Sequence, residues 1–232
     1  LEWIDHVSHK TTLHNDGRII RWNAKKTYLR DLETCGAALA PTFWLSRGSD
    51  VSLQDLMIRH DWRRGFLKPV VGATARETHR FEVGNESLKH AQAALERLLS
   101  AECMMFQPYL ASVETEGEYS AVFFDGIFSH AVRKIPVAGD YRVQDDFGAT
   151  DEAWTFSSSD MTCVRETHDI LMGFLDSRFR ITRAPLYARA DFLRGEDGRL
   201  LLNELELIEP SLFFRHDVRA GETFASALKA RL

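Results

Sequence analysis

The chain has 232 residues, 44% of them hydrophobic and 27% charged, with a formal net charge of −5, a balance typical of globular proteins. The acidic excess argues against a general nucleic-acid binder, which carries a basic surplus. No apolar run approaches the roughly 20 residues of a membrane helix, and no signal-peptide pattern opens the chain. In chain order, residues 24–35 predict a helix whose inner face carries Tyr28, Leu29, Leu32 and Cys35, with Gly36 as its stop. A short apolar stretch, Ala37 to Leu45, precedes a second helix near 52–60, with Leu53, Leu56 and Met57 inward. Phe66 to Val71 reads as a buried strand. Asn85 is a natural cap for a helix carrying Leu88, Ala91, Leu95, Leu98 and Leu99 at helical spacing. Cys103 to Leu110 is strand-like, and residues 163–178 predict another amphipathic helix with Val164, Ile170, Leu171, Phe174 and Leu175 as its stripe.

Helices and strands are therefore mixed, with no repeat, low-complexity tract or Pro/Gly linker, and one continuous fold is expected. Cys35, Cys103 and Cys163 are odd in number and far apart, a pattern of neither a disulfide framework nor a zinc site. Reduced thiols in a cytoplasmic protein are the expectation. The chain opens on Leu1 rather than Met, from which a missing or removed N-terminal portion is expected.

Two Asp-Gly pairs, Asp125-Gly126 and Asp197-Gly198, lie between strand-like runs, and Asp-Gly is a strong signal for a two-residue type I′ hairpin turn. Counting outward from Asp197-Gly198 pairs Glu196 with Arg199, Leu193 with Leu202, Asp191 with Glu204, and Arg189 with Glu206. Alternation along a strand then puts Asp191, Glu204, Glu206 and Arg189 on one face. Like charges placed directly opposite one another destabilise a strand pair, so a compensating positive charge is expected. A hard divalent cation is one way to supply it; a solvated acidic face partly neutralised by Arg189, or catalytic carboxylates without metal, are the others. Counting outward from Asp125-Gly126 pairs Phe124 with Ile127 and Glu118 with Arg133, which alone reads as a plain cross-strand ion pair. Lys134, Arg142, Lys68 and Lys26 add positive charge. Lys68 closes an apolar strand ahead of the small-residue loop Gly72-Ala73-Thr74-Ala75-Arg76, a pairing that suits phosphate. Nothing in the local spacing of Lys26 distinguishes it from a solvated lysine.

Taken in order, from Asn23-Ala24-Lys25-Lys26-Thr27-Tyr28-Leu29 to Glu204-Leu205-Glu206, these pieces resemble the ATP-grasp superfamily, in its glutathione-synthetase-like branch. The stretches Glu114 to Ser120, Phe123-Phe124-Asp125-Gly126 and His130-Ala131-Val132-Arg133-Lys134 are similar to a group related to the O-ureidoserine cyclo-ligase of cycloserine biosynthesis. The resemblance implies an α+β fold of two lobes clasping ATP, with an antiparallel sheet and Asp-Gly hairpins in the C-terminal lobe. Residues 1–35 would be a connecting segment from a missing or reduced N-terminal domain, 36–105 the N-lobe with its lid loop, and 106–232 the hinge and C-lobe. It implies Lys26 and Lys68 on the ATP phosphates, and Gln107 with the backbone at Tyr109 and Leu110 on the adenine edge. Glu118 would hold the ribose hydroxyls, and Asp191, Glu204 and Glu206 would hold magnesium, with manganese as the alternative. The family's usual Asn is replaced by Glu206, and the lid loop at residues 72–80 is poor in glycine.

The implied reaction is attack of a substrate carboxylate on the γ-phosphate of ATP, then capture of the acyl-phosphate by an amine. Arg133, Arg142 and Arg189 are the candidates for stabilising the charged intermediates. Glu209-Pro210-Ser211 falls where the family has a substrate-facing turn. Small-molecule substrates are expected, with no nucleic-acid or membrane partner, and a homo-oligomer is compatible with the sequence. Two other readings stay open: a metal-dependent phosphohydrolase, which needs no adenine hinge, and a nucleotide-binding module without ligase activity. His14, His60, His79, His90 and His130 show no triad or metal spacing and read as surface or packing residues.

Overall fold

The computed structural model describes residues 2–232, so Leu1, where the sequence opens, lies outside them. The chain begins with three helices of seven residues each: α1 (Glu2–Ser8), α2 (Gly17–Asn23) and α3 (Tyr28–Thr34). The helix expected over 24–35 starts later, because the Ala24 N–H donates to Ile20 O and closes α2 instead. Tyr28, Leu29 and Leu32 are buried as the periodicity predicts, whereas Cys35 is the exposed C-cap. Next come β1 (Phe43–Leu45), α4 (Leu53–Arg59), β2 (Arg64–Pro69), β3 (His79–Glu82), α5 (Glu86–Leu99) and β4 (Met104–Pro108). The rest of the chain supplies α6 (Ser112–Thr115), β5 (Glu118–Phe124), β6 (Ile127–Ile135), β7 (Thr150–Trp154), α7 (Ser158–Phe179), β8 (Tyr187–Arg194), β9 (Leu200–Glu206) and α8 (Ala220–Lys229). Among the described residues, no helix is long and apolar enough to cross a membrane.

Two compact units emerge. One is Ala40–Ala111; the other joins the segment up to Leu39 with Ser112–Leu232. The first unit is an antiparallel sheet in the order β1-β4-β2-β3. Leu53, Met57, Leu67, Phe81, Leu95, Met104 and Phe106 form its core, each at most 2% exposed. The Asn85 side chain accepts from Ser87 N and starts α5, as its sequence position predicts. Gly65 matters here: a Cβ would lie 2.6 Å from the Phe81 ring, so the glycine makes room for Phe81 and Phe106 to stack with centroids 5.7 Å apart.

The second unit is built on a five-stranded antiparallel sheet, β7-β6-β5-β8-β9. Its outer strand β9 would present unpaired backbone groups, a template for aggregation. The N-terminal segment covers that edge. Asn23 Nδ2 donates to Leu205 O while Leu207 N donates to Asn23 Oδ1. Leu205 N donates to the Tyr28 hydroxyl, Asn15 Nδ2 to Leu207 O, and Leu202 N to Ala38 O. The described residues up to Leu39 are thus an integral layer of the β5–β9 unit. Replacing Asn23 by Ala strands two buried backbone groups, so a loss of about 1–3 kcal/mol is expected in urea denaturation. An unchanged midpoint would mean that water takes over at this edge.

Candidate active site

Site and fold meet at the two hairpins of the larger sheet. At Asp125-Gly126 both φ angles are positive, +48° and +81°, the type I′ geometry the dipeptide predicts. Phe124 pairs with Ile127 as counted, but a bulge between Val122 and Phe123 shifts the rest of the ladder by one residue. Glu118 therefore faces Lys134, in place of the expected Arg133. Because a one-residue slip moves a side chain to the other face, Arg133 is turned away: its Nε donates to Glu116 O at 2.6 Å and its guanidinium lies over the Trp154 ring. At the second hairpin only Gly198 has positive φ, and Gly198 N donates to Gly195 O while Gly195 N donates to Arg199 O. This is a three-residue loop ending in a left-handed glycine, in place of the expected two-residue turn. Leu193 accordingly pairs with Leu201 rather than Leu202, and a second bulge between Asp191 and Phe192 then restores the count, setting Asp191 opposite Glu204 and Arg189 opposite Glu206 as expected.

Strand alternation and the two bulges gather six charged side chains on one face, and Lys26 joins them from outside the sheet. Asp191 is the hub, 1% exposed. It accepts from the Ser120 hydroxyl at 2.6 Å, from Arg189 Nε and Nη2 at 2.9 Å each, and from Lys134 Nζ at 3.2 Å. Lys134 also pairs with Glu118 at 2.8 Å, Arg189 with Glu206 at 2.5 Å, and Lys26 with Glu204 at 3.2 Å. Asn203, the extra residue of the β9 bulge, donates to the other Glu118 oxygen at 2.8 Å. Lys26 arrives from the α2–α3 connection, a placement that the edge contacts of Asn23 and Tyr28 dictate. Arg189 further donates to Ser211 O at 3.1 Å, which ties the turn at Glu209-Pro210-Ser211 to the cluster.

Electrostatics follow from burial. Asp191 would lose its charge in so dry a place, but Arg189 and Lys134 outweigh burial and hold its carboxyl well below the usual range. Burial likewise opposes the charge on Lys134, and Asp191 and Glu118 overcome it and raise its pKa. Burial pushes Glu118 up. Burial also pushes Glu206 up to about 7, with Asp191 and Glu204 adding to the shift and Arg189 opposing it. A surplus of carboxylate that Arg189 does not fully balance suits a hard cation with oxygen ligands. Glu204 and Glu206, with side chains 27% and 32% exposed, are the accessible donors, whereas Asp191 already accepts from Ser120, Lys134 and Arg189. Among the described residues no three acidic, His or Cys side chains stand close enough to hold a metal as they are.

The remaining expected residues stand elsewhere. Arg142 lies in the loop after β6, forked onto Asp140 with its nearest contact at 2.7 Å and packed 4.0 Å from the Phe147 ring centroid. That pairing pulls the Asp140 carboxyl down to about 2. In the Ala40–Ala111 unit, Lys68 on β2 is 3% exposed, and Gln107 on β4 donates to the Thr42 hydroxyl at 2.8 Å. Tyr109 N donates to Arg64 O, with Arg64 and Arg80 each 5.4 Å from its ring centroid. The run Phe106–Leu110 ends just before the boundary between the units at Ala111 and Ser112. The loop expected as a lid is bound back within its own unit: Arg76 pairs with Glu102 at 2.7 Å and Arg97 with Glu77 at 2.8 Å. His130, expected as a packing residue, is bonded through Nε2 to Leu212 O at 3.0 Å. Ser120, Asn203 and the bridging role of Lys134 were not visible in the sequence, since each depends on a bulge or on a strand far away in the chain.

The two-sheet α+β architecture is the ATP-grasp fold, which the chain shares with solved ATP-grasp ligases. In sequence the chain is similar to a protein of cycloserine biosynthesis. It is 29% identical to cycloserine biosynthesis protein DcsG of Streptomyces lavendulae, over all of this chain and 77% of that protein. The crystal structure of D-cycloserine synthetase DcsG superposes with a TM-score of 0.85 at 28% identity, covering 99% of this chain and 77% of that one. The fold is shared with D-alanine–D-alanine ligase from Bacillus anthracis in complex with ATP (TM-score 0.62, 15% identity, 89% of this chain and 64% of that one). It is shared too with the ATP-grasp ligase PsnB bound to Mg and ADP (TM-score 0.64, 19% identity, 96% and 63%). No protein-family profile matches the chain.

Proposed function

We propose that the protein joins a carboxylate to an amine at the expense of ATP, through an acyl-phosphate, and that both groups belong to one small molecule. The observation that carries the reading is the cluster around Asp191, in which three cations are held against four carboxylates on one sheet face. The relation to D-cycloserine synthetase supports ring closure as the form of the reaction. In this reading Lys26 and Lys68 meet the phosphates, Gln107 and the backbone at Tyr109 and Leu110 meet the adenine, and Glu118 meets the ribose. Glu204 and Glu206, with Asp191 behind them, would hold magnesium or manganese, which when bound neutralises phosphate charge and polarises the transferred group. Arg189 is fixed by Asp191, Glu206 and Ser211 O, so it can face developing negative charge without reorganising. Arg142 would reach the transferred phosphate by leaving Asp140; Arg133, on the other face, has no role in this reading.

Calorimetry of ATP binding tests it, with and without magnesium, comparing the wild type with Glu204→Ala. Magnesium-dependent binding that the substitution weakens at least about tenfold, about 1.4 kcal/mol, is the expected result. A folded wild type that ignores ATP would sink the reading. Amino-acid-derived carboxylates that release ADP should yield a product lighter than the substrate by one water, read by mass spectrometry; a product containing two substrate molecules would refute ring closure.

A further inference from the structure

The cluster holds its own counter-ions, and their arrangement bears on how a cation gets in. Each of the four carboxylates already has a cation of the protein beside it: Glu204 has Lys26, Glu118 has Lys134, Asp191 has Lys134 and Arg189, and Glu206 has Arg189. When all four carboxylates are ionised, four negative charges face three positive ones, and the surplus is a single charge. Lys134 is 8% exposed and Arg189 7%, too deep to swing out into water. The Lys26 side chain is 14% exposed. A bare divalent cation would have to displace an ammonium or guanidinium group from its partner and also give up most of its water, which magnesium does reluctantly. A nucleotide changes this balance, since its phosphates bring several negative charges that attract Lys26 away from Glu204 and coordinate the cation themselves.

We infer that Lys134 and Lys26 act as built-in competitors for the cation, so that the protein binds a divalent cation weakly by itself and takes it up only together with a nucleotide. The inference rests on the ATP-grasp reading of the site. Placement of Lys134 depends on the bulge at Val122 and Phe123, without which Arg133 would face Glu118. Bulges of this kind occur beside active sites, where they re-aim a side chain.

The test is a gain of binding, which misfolding does not mimic. Free Mn2+ is titrated against the protein without nucleotide, its unbound fraction read by electron paramagnetic resonance, and the titration is repeated with ADP. Wild type is expected to leave Mn2+ mostly free without ADP and to bind it when ADP is added. Lys134→Met is expected to bind Mn2+ without ADP at least about tenfold more tightly than wild type, because a full charge a few ångströms from the ligands is gone. Lys134→Arg, which keeps the charge, should behave as wild type. Lys26→Met, at a less buried position, should show the same gain at Glu204, and it decides the matter if Lys134→Met does not fold. Tight Mn2+ binding by wild type alone, or no gain in a folded variant, overturns the inference. A wild type that binds neither ADP nor its Mn2+ complex would instead count against the proposed function.

Discussion

Asp191→Ala is expected to lower the stability of the protein by about 3–5 kcal/mol, the range for breaking a buried ion pair from one side. The reason is geometric. Asp191 is 1% exposed and accepts hydrogen bonds from Ser120, Lys134 and two nitrogens of Arg189. Its removal leaves two buried cations facing each other with only Glu118 and Glu206 to balance them. Since small proteins are stable by only about 5–15 kcal/mol, the loss is large enough to read from the midpoint of urea denaturation. Asp191→Asn, which keeps the shape and some of the hydrogen bonds, should lose less. A value for Asp191→Ala within about 1 kcal/mol of wild type would mean that water reaches the cluster and screens it, as it does at surface ion pairs. The same substitution would then leave Arg189 in place, and its pre-organisation could not be credited to Asp191.

How much of this site the sequence discloses depends on chain distance and on bulges. The turn at Asp125-Gly126, the cap at Asn85 and the stripe of α5 are local, and the residues that make them are enough to predict them. The pairing of Asp191 with Glu204 and of Arg189 with Glu206 came out right for a less satisfying reason. The loop at Gly195–Arg199 is one residue longer than the turn assumed, and the bulge at Asp191 and Phe192 cancels that error before the carboxylates are reached. On β5 and β6 one bulge acts without a compensating shift, and Glu118 is matched with the wrong neighbour. Bulges leave no reliable mark in a single sequence, because the extra residue, Ser129 or Asn203, resembles any other polar strand residue. Lys26 is the extreme case. Its partner Glu204 is 178 positions away in the chain, and only the resemblance to ATP-grasp proteins singled it out. The Lys26–Glu204 contact exists because Asn15, Asn23 and Tyr28 fasten the N-terminal helices along the β9 edge. A segment that is early in the chain is thereby sealed onto a strand near its end.

Gly117→Ala should be the most damaging single methyl group in the larger unit, at about 2–5 kcal/mol when left-handed strain and overpacking are added. Gly117 has φ +80° where the chain enters β5, and a Cβ there would lie 2.1 Å from the carbonyl oxygen of Lys134. Backbone cannot move aside as a side-chain tip can, so either β5 or β6 must shift. Both strands carry the cluster, since the neighbouring Glu118 holds the Lys134 ammonium. Gly84→Ala separates the two contributions. Its φ is +76°, nearly the same, but nothing lies within 4 Å of its Cβ position, so it bears the conformational strain alone, about 1–2 kcal/mol. Denaturation midpoints of the two variants should therefore differ by at least about 1 kcal/mol, the lower limit for forcing an extra methyl group into a packed site. Magnesium-dependent ATP binding should fall in Gly117→Ala and stay near wild type in Gly84→Ala. Equal losses of stability would show that β6 can slide away from β5 at this end, in which case the cluster would depend on its own ion pairs to keep the two strands in register.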